Sequence, residues 1–400
     1  MKKYLPLFAS VFLFACSSNG SSDSNETISE EVNSESASLI EEEQSSAVEE
    51  MEKDEDTRVS FVGVGDNLIH DSVLYTALED DGSYDFTPIY DNIAESVDEA
   101  DLAFLNQETI FAGPDYPYTG YPAFNTPDEM GQNMYDLGFD LVNGATNHTL
   151  DYDYPGAIHA VNVWNQFDDL LFTGTFLDEE SRNTVPTIER KGITFSFLAY
   201  TYGTNGIEPD TDWRVAYFDE EKIREDVARA KEVSDAVIVS AHWGDENTPV
   251  LNEFQEYYAQ LFADLEVDVV VGTHPHIIQS IEWVTGENGN ETLVIYSLGN
   301  LIAHSLEDFN TLGGMISFDF VDRDEGITIE NVLFEPTVSH YTAKLEDIEN
   351  SRREFKIYML DEYTNDIAAL HGLNGYNGIE ITQENYQEMV NEIIPAEFLQ

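Results

Sequence analysis

Residues 267–276 read Val-Asp-Val-Val-Val-Gly-Thr-His-Pro-His. A short apolar run closed by a turn signal predicts a buried strand, here residues 267–271. It runs into Gly272 and then into two histidines one residue apart. The same construction recurs at Gly65-Asp66 after residues 59–64, at Asn147-His148 after residues 139–142, and at His242-Trp243-Gly244 after residues 236–240. The chain has only 9 histidines in 400 residues, and His148, His242, His274 and His276 all lie in these blocks. Open α/β sheets build their sites at the carboxyl ends of strands. Asp, Glu, Asn and His together suit hard to borderline divalent metals. A metal site holding more than one ion is the expectation.

Outward from these blocks, strands are also expected at residues 102–105, 170–173 and 193–199. Helices are expected at 127–137 behind the cap signal Asn125-Thr126, and at 154–167, 219–233 and 253–265. Strands alternating with helices predict an α/β layered fold. Residues 293–297, 315–320 and 327–334 follow with little helix between them, as in an antiparallel part. The mixture suggests two packed sheets with helices outside. The folded domain is expected over residues 58–340. From Lys344 the chain is charged and less patterned, so 341–400 is expected to be a peripheral, helical segment. No internal repeat is visible.

The chain carries 17 Lys+Arg against 79 Asp+Glu, a formal net charge of −62. A phosphate backbone wants Lys and Arg, which argues against nucleic acid as a partner. The charge argues equally against an anionic membrane surface as the binding force. A high-salt habitat and a highly soluble extracellular surface both suit such acidity. A hydrophobic fraction of 42% and an aromatic fraction of 12% describe a globular protein.

Cysteine occurs once, at Cys16. Lys2 and Lys3 precede a short apolar stretch, residues 4–15, too short for a stable membrane span. Leu13-Phe14-Ala15-Cys16 resembles a bacterial lipobox, with Phe14 where a small or aliphatic residue is usual. Residues 1–16 are therefore expected to be a lipoprotein signal peptide and Cys16 the lipidated residue; an ordinary secretory signal is the alternative. Residues 17–57 are rich in Ser, Glu, Asp and Asn. Such a segment cannot bury enough surface to offset its ordering entropy, which predicts a disordered acidic linker. No second apolar stretch is long enough to cross a membrane. The expected location is extracytoplasmic, on a bacterial membrane through the lipid.

Two neighbouring ions need a bridging carboxylate and several terminal ligands. Asp66 and Glu108 are the carboxylates at strand ends, Asn147 offers a neutral oxygen, and His242, His274 and His276 offer imidazoles. Pro275 biases His274 toward an extended backbone. That would point both rings of the His-Pro-His segment to one side. Gly272 permits close backbone approach, and Trp243 reads as a lid or core residue.

The ordered set resembles the CapA-type poly-γ-glutamate capsule synthesis proteins, within the calcineurin-like metallophosphatase superfamily. The resemblance is carried by Val64-Gly65-Asp66, Asn106-Gln107-Glu108, Asn147-His148-Thr149-Leu150-Asp151, His242-Trp243-Gly244-Asp245-Glu246, Gly272-Thr273-His274-Pro275-His276 with Gln279, and Tyr296-Ser297-Leu298-Gly299-Asn300. It implies a four-layer α/β/β/α sandwich with mixed sheets and a dinuclear site between the sheets. It implies that Asp66 and His276 bind the first ion, that Glu108 bridges, and that Asn147, His242 and His274 bind the second, the ions being Mn, Fe or Zn. His148 would be the general acid for the leaving group, oriented by Asp151. Leu68 stands where the superfamily has a histidine two residues after the first Asp; His70 is a nearby substitute, or else a helix-cap or surface residue. Asn106-Gln107-Glu108 replaces the usual bridging Asp motif. Asn106, Gln279, Asn300 and His70 would sit behind the ligands, or be buried polar groups satisfied elsewhere.

The function implied is the making, exporting or anchoring of poly-γ-glutamate or a related capsule polymer. Its chemistry would be metal-assisted hydrolysis or transfer at a phosphoester or amide. The rival is a non-catalytic module that binds polymer or metal through a degenerate site. The expected partners are the anionic polymer or its synthesis machinery. Bulk charge would repel a polyanion unless salt screens it or bound metal reverses it locally.

Overall fold

The structure, a computed structural model, describes residues 56–324 and 326–399. Cys16 and residues 17–55 of the expected linker lie outside them. Among the described residues the strands are β1 (Arg58–Asn67), β2 (Leu102–Gln107), β3 (Leu141–Asn143), β4 (Leu171–Thr173), β5 (Thr187–Arg190), β6 (Ile193–Thr201), β7 (Ala236–His242), β8 (Val269–Thr273), β9 (Ile281–Thr285), β10 (Glu291–Ile295), β11 (Asn300–Ile302), β12 (Leu312–Arg323), β13 (Gly326–Thr342) and β14 (Arg353–Met359).

They form two mixed sheets. The first runs β14-β13-β12-β1-β2-β3-β4, with β11 pairing to the end of β1. β1 to β4 are parallel, while β12, β13 and β14 are antiparallel. The second runs β5-β6-β7-β8-β10-β9, parallel through its centre with antiparallel edges.

Alternation along the strands builds the layers, because successive side chains of a strand point to opposite faces. Phe195 and Phe197 of β6, Ile238 of β7, and Val269 and Val271 of β8 join the core shared with β1, β2 and β12. Their neighbours Leu198, Tyr200, Val237, Val239 and Val270 face the other way, onto the helices Glu220–Val233 and Glu253–Asp264. The sheets touch through aromatic pairs: Phe104 with Phe197 at 6.0 Å and Phe195 with Phe320 at 4.8 Å between ring centres. The helices Glu129–Asp136 and Asp153–Trp164 pack on the first sheet through Met130, Met134, Val163 and Trp164. The result is the expected four-layer α/β/β/α arrangement.

Several local expectations differ. The helix predicted over 127–137 begins at Glu129 and is not capped by Asn125. That side chain instead accepts from the Ala112 N–H at 2.7 Å and donates to the Gly113 carbonyl at 3.0 Å, tying down the preceding loop. β10 is not part of an antiparallel meander alone. It hydrogen-bonds to β8 in parallel and to β9 in antiparallel. The expected division at residue 340 falls inside β13, and the segment beyond Lys344 is more than helix. β14 extends the first sheet, and Tyr363, Leu373, Tyr386, Val390 and Phe398 enter the main core. Tyr386 and Val390 share the helix Gln383–Ile393, but the others come from separate turns and short elements, which left little periodicity to read.

Candidate metal centre

Each predicted block arrives at one end of the two sheets. Asp66 lies near the end of β1, Glu108 directly follows β2, the Asn147-His148 loop follows β3, His242 closes β7, and His274 and His276 follow β8. Two glycines let the backbones converge. A Cβ on Gly65 would lie 2.1 Å from the Gly299 carbonyl oxygen, and one on Gly272 would lie 2.0 Å from that of Tyr296. Asp66 N–H donates to that Gly299 carbonyl at 2.8 Å, fixing the carboxylate at the strand tip.

The donor atoms fall into overlapping groups. Asp66, Glu108 and His276 can each offer one atom within 4.8 Å of the others, and so can Glu108, His242 and His274. Glu108 is common to both. His276 Nδ1 lies 3.0 Å from Asp66 Oδ2, and its Nε2 lies 3.4 Å from Glu108 Oε1. Asn147 Oδ1 lies 3.0 Å from His242 Nε2. All six predicted ligands are therefore brought together, and all are buried.

The rings do not reach this arrangement by the expected route. His274 and His276 have φ values of 96° and 61°, so neither is extended. Left-handed backbone is uncommon for a residue with a Cβ and concentrates at functional sites. Here it turns the His274 N–H toward Asp66, 3.3 Å from Oδ2. It also leaves the two rings 5.8 Å apart at 61° to one another.

Buried carboxylates and imidazoles perturb one another strongly. Burial raises the Glu108 carboxyl well above its usual range, with Asp66 adding to the effect against the opposing pull of His276. Burial opposes a charge on His276, but Glu108 and Asp66 outweigh it and lift the imidazole to about 10. Both shifts favour the protonated forms of the two groups. Burial, reinforced by neighbouring histidines, pushes His242 and His274 well below the ordinary range. Neutral imidazoles are the form that ligates metal.

Buried polar groups normally find hydrogen-bond partners. Glu108 Oε1 and His274 Nδ1 are buried without one. Two unpartnered donor atoms in a mixed oxygen and nitrogen cluster fit a divalent cation, which would satisfy both.

Residues behind the ligands separate into distinct roles. Asn106 Nδ2 donates to Asp66 Oδ1 at 2.7 Å and to Glu108 Oε2 at 3.3 Å, and its own oxygen accepts from Asn143 at 2.8 Å. Asn300 Nδ2 donates to the His276 carbonyl at 3.0 Å, holding that residue's backbone. Gln279 touches no ligand; it accepts from Gln255 at 2.8 Å and donates to the Thr248 carbonyl at 2.9 Å. His70 is neither a surface residue nor a member of the donor groups found among the described residues. It occupies the N-cap position of the helix Asp71–Ala77 without making a cap bond. Its Nδ1 lies 3.1 Å from the Leu68 carbonyl oxygen, and its ring stacks on His304 at 3.7 Å. Leu68 itself packs with Phe124 and Ala303, so that side of the centre is apolar. Trp243 is core rather than lid, fully buried with Nε1 donating to the Tyr296 carbonyl at 3.0 Å.

His148 stands beside the cluster. Its Nδ1 is 2.8 Å from Asp151 Oδ2, and its ring meets Phe124 edge-on at 4.7 Å. With Glu246, His276, Tyr121 and Asn310 it lines an open cleft. Sequence reading missed three contributors. Thr273 Oγ1 lies 2.8 Å from His242 Nδ1, Tyr202 lays its ring 4.6 Å from that of His274, and Glu246 reaches both His274 and His276. Thr273 and Glu246 lie inside blocks already singled out. Tyr202 follows β6, in a stretch with no polar motif to mark it.

The family model described as bacterial capsule synthesis protein PGA_cap matches residues 60–305. Among curated relatives, the chain is 28% identical over 222 residues to PGA biosynthesis protein CapA of Bacillus subtilis (strain 168), covering 51% of this chain and 57% of that one. It is 24% identical over 181 residues to capsule biosynthesis protein CapA of Bacillus anthracis, covering 44% and 43%. The match thus spans about half the length of those relatives. Among solved structures, a calcineurin-like phosphoesterase, YfkN from Bacillus subtilis, aligns at 12% identity and a TM-score of 0.43, covering 70% of this chain and 91% of that one. The sheet order given above, rather than that likeness, defines the fold.

Proposed function

The chain belongs to that family of bacterial capsule synthesis proteins, and from this premise we propose that it is a lipid-anchored, extracytoplasmic, metal-dependent hydrolase or transferase acting on poly-γ-glutamate or a related polymer. Two divalent ions, drawn from Mn, Fe or Zn, would be held by Asp66, Glu108 and His276 and by Glu108, Asn147, His242 and His274. Such ions supply Lewis-acid polarisation of the scissile group and lower the pKa of bound water.

The observation that carries a catalytic reading is the 2.8 Å contact between His148 and Asp151. Neither residue belongs to the donor groups, yet His148 lines the cleft above them. A histidine with one nitrogen held by a carboxylate and the other turned to a cleft is arranged for proton transfer. Asp151 is itself fixed by the Phe124 N–H at 2.8 Å, so the ring is positioned rather than free. Asn106 and Thr273 would orient the ligands they touch.

The rival reading, a module that binds polymer without turning it over, is favoured by Leu68, which removes a donor expected of this type of centre. An assay of the full chain loaded with Mn2+ or Zn2+, on phosphodiester and γ-glutamyl substrates, separates the two. Turnover on either class supports the enzyme. Stoichiometric metal with no turnover on both rejects it and favours the binding module.

A further inference from the structure

The loop after β7 carries a carboxylate that the ligand set above does not use. Glu246 sits exposed at the rim of the cleft, and one of its oxygens can lie within 4.8 Å of a nitrogen of both His274 and His276. Apart from the group they form with Glu246, those histidines fall into separate groups around Glu108: His276 with Asp66, His274 with His242. Glu108 meets both groups from the buried side. Glu246 meets them from the solvent side.

The loop is built to hold it there. Gly244 has φ 91°, and a Cβ on it would lie 2.8 Å from the Gln255 side-chain amide. Asn247 has φ 61° and donates its N–H to the Pro275 carbonyl at 2.8 Å. Asn310 Nδ2 donates to Asn247 Oδ1 at 2.7 Å and to the His276 carbonyl at 3.1 Å. The Glu246 turn and the His274-Pro275-His276 turn are therefore stapled together.

A donor is also lacking. Leu68 closes one side of the centre with a hydrocarbon side chain, and His70 is turned onto the Leu68 carbonyl and His304. Meanwhile His274 Nδ1 stays buried and unpartnered. We propose that Glu246 is a ligand of the metal pair, contributed from the solvent side. This inference rests on the metal-dependent reading of the centre. It adds a carboxylate to the ions' surroundings, which favours harder, oxygen-preferring cations such as Mn2+ over Zn2+.

The test is titration calorimetry of the metal-free full chain with Mn2+ and separately with Zn2+, alongside metal-dependent thermal shifts. Wild type, Glu246→Gln and His274→Ala are compared. Glu246→Gln alters an exposed side chain and removes one charge, so the fold is retained. Loss of an outer hydrogen-bond partner typically costs about 10- to 100-fold in metal affinity, and loss of a direct ligand should cost at least that for one ion. The expected result is two ions in wild type, one of them weakened by that factor in Glu246→Gln, with the larger loss for Mn2+. Unchanged affinity and stoichiometry in Glu246→Gln, with a clear loss in His274→Ala, overturns the role of Glu246 and leaves the centre standing. Absence of binding in wild type overturns the metal reading and this inference with it.

Discussion

His148 Nδ1 and Asp151 Oδ2 lie 2.8 Å apart, three residues from each other on the loop that follows β3. The pair adjoins Asn147, whose oxygen contacts His242 at 3.0 Å. One short loop thus carries both a candidate ligand, in contact with His242, and a carboxylate-held histidine that lines the cleft. The proposed catalytic reading assigns the two residues different roles, and it yields the most direct prediction.

Replacing His148 by Ala should leave fold and bound metal close to wild type yet lower turnover by about 100- to 10,000-fold, the usual contribution of a general acid–base group. Asp151→Asn should keep the ring in place but shift the pH–rate profile. In cells lacking the protein, the His148→Ala form should fail to restore polymer output. Full restoration at normal expression would reject the catalytic assignment.

Metal binding should release a proton. Glu108 and Asp66 lift His276 to about 10 against its burial, and a ligating imidazole must be neutral. Apparent affinity should therefore rise with pH through the neutral range, by up to about tenfold per unit for one proton. Calorimetry in phosphate and in Tris, whose ionisation enthalpies differ, measures the number released. Identical heats in both buffers would contradict the raised His276.

Acid should destabilise the fold through buried histidines outside the donor groups. Burial holds His340 at about 4; burial, with His340 as neighbour, holds His371 at about 3, against about 6.5 when unfolded. The unfolded chain thus takes up these protons first. Their contribution is complete above pH ~6.5 and is lost as pH falls toward the folded values, at up to about 1.4 kcal/mol per unit for each residue. Denaturant titrations at several pH values between 7 and 4.5 should show this slope, and His371→Asn should flatten it by one proton. An unchanged slope in the variant would refute the neutral, buried state of His371.

Gly272→Ala should destabilise the protein by about 1–3 kcal/mol or more, the cost of forcing extra volume into a packed region. The new Cβ would meet the Tyr296 carbonyl at 2.0 Å and Trp243 Nε1 at 2.5 Å. It would also displace the following histidines, so metal affinity should fall along with the melting temperature. Wild-type stability in this variant would show that the β8 tip can relax.

Cys16→Ser tests the proposed anchor. The variant should leave the membrane fraction or accumulate unprocessed. Retention on the membrane at the normal mass would reject lipidation at Cys16.

Much of the fold was legible because its strands are short, β-branched and bounded by glycine, so residues 59–64, 193–199 and 236–240 show their period within a few residues. The six candidate ligands could be picked out because each lies within a few residues of such a run, while their assignment to two ions came from the family resemblance. Other features depend on contacts distant in sequence. β14 became a strand only because β13 offers it an edge. His70 was drawn away by His304, more than two hundred residues later, and by the Leu68 carbonyl. The left-handed His274 runs against the extended preference that Pro275 imposes on the residue before it, and His276 is left-handed as well. Asp66, Asn300 and the Asn247 turn supply the contacts that hold them there. Local sequence determined which residues could ligate and where the strands end. The tertiary structure alone decided how the rings turn and which carboxylates they meet, because those choices are made by hydrogen bonds between loops that only the packed sheets bring together.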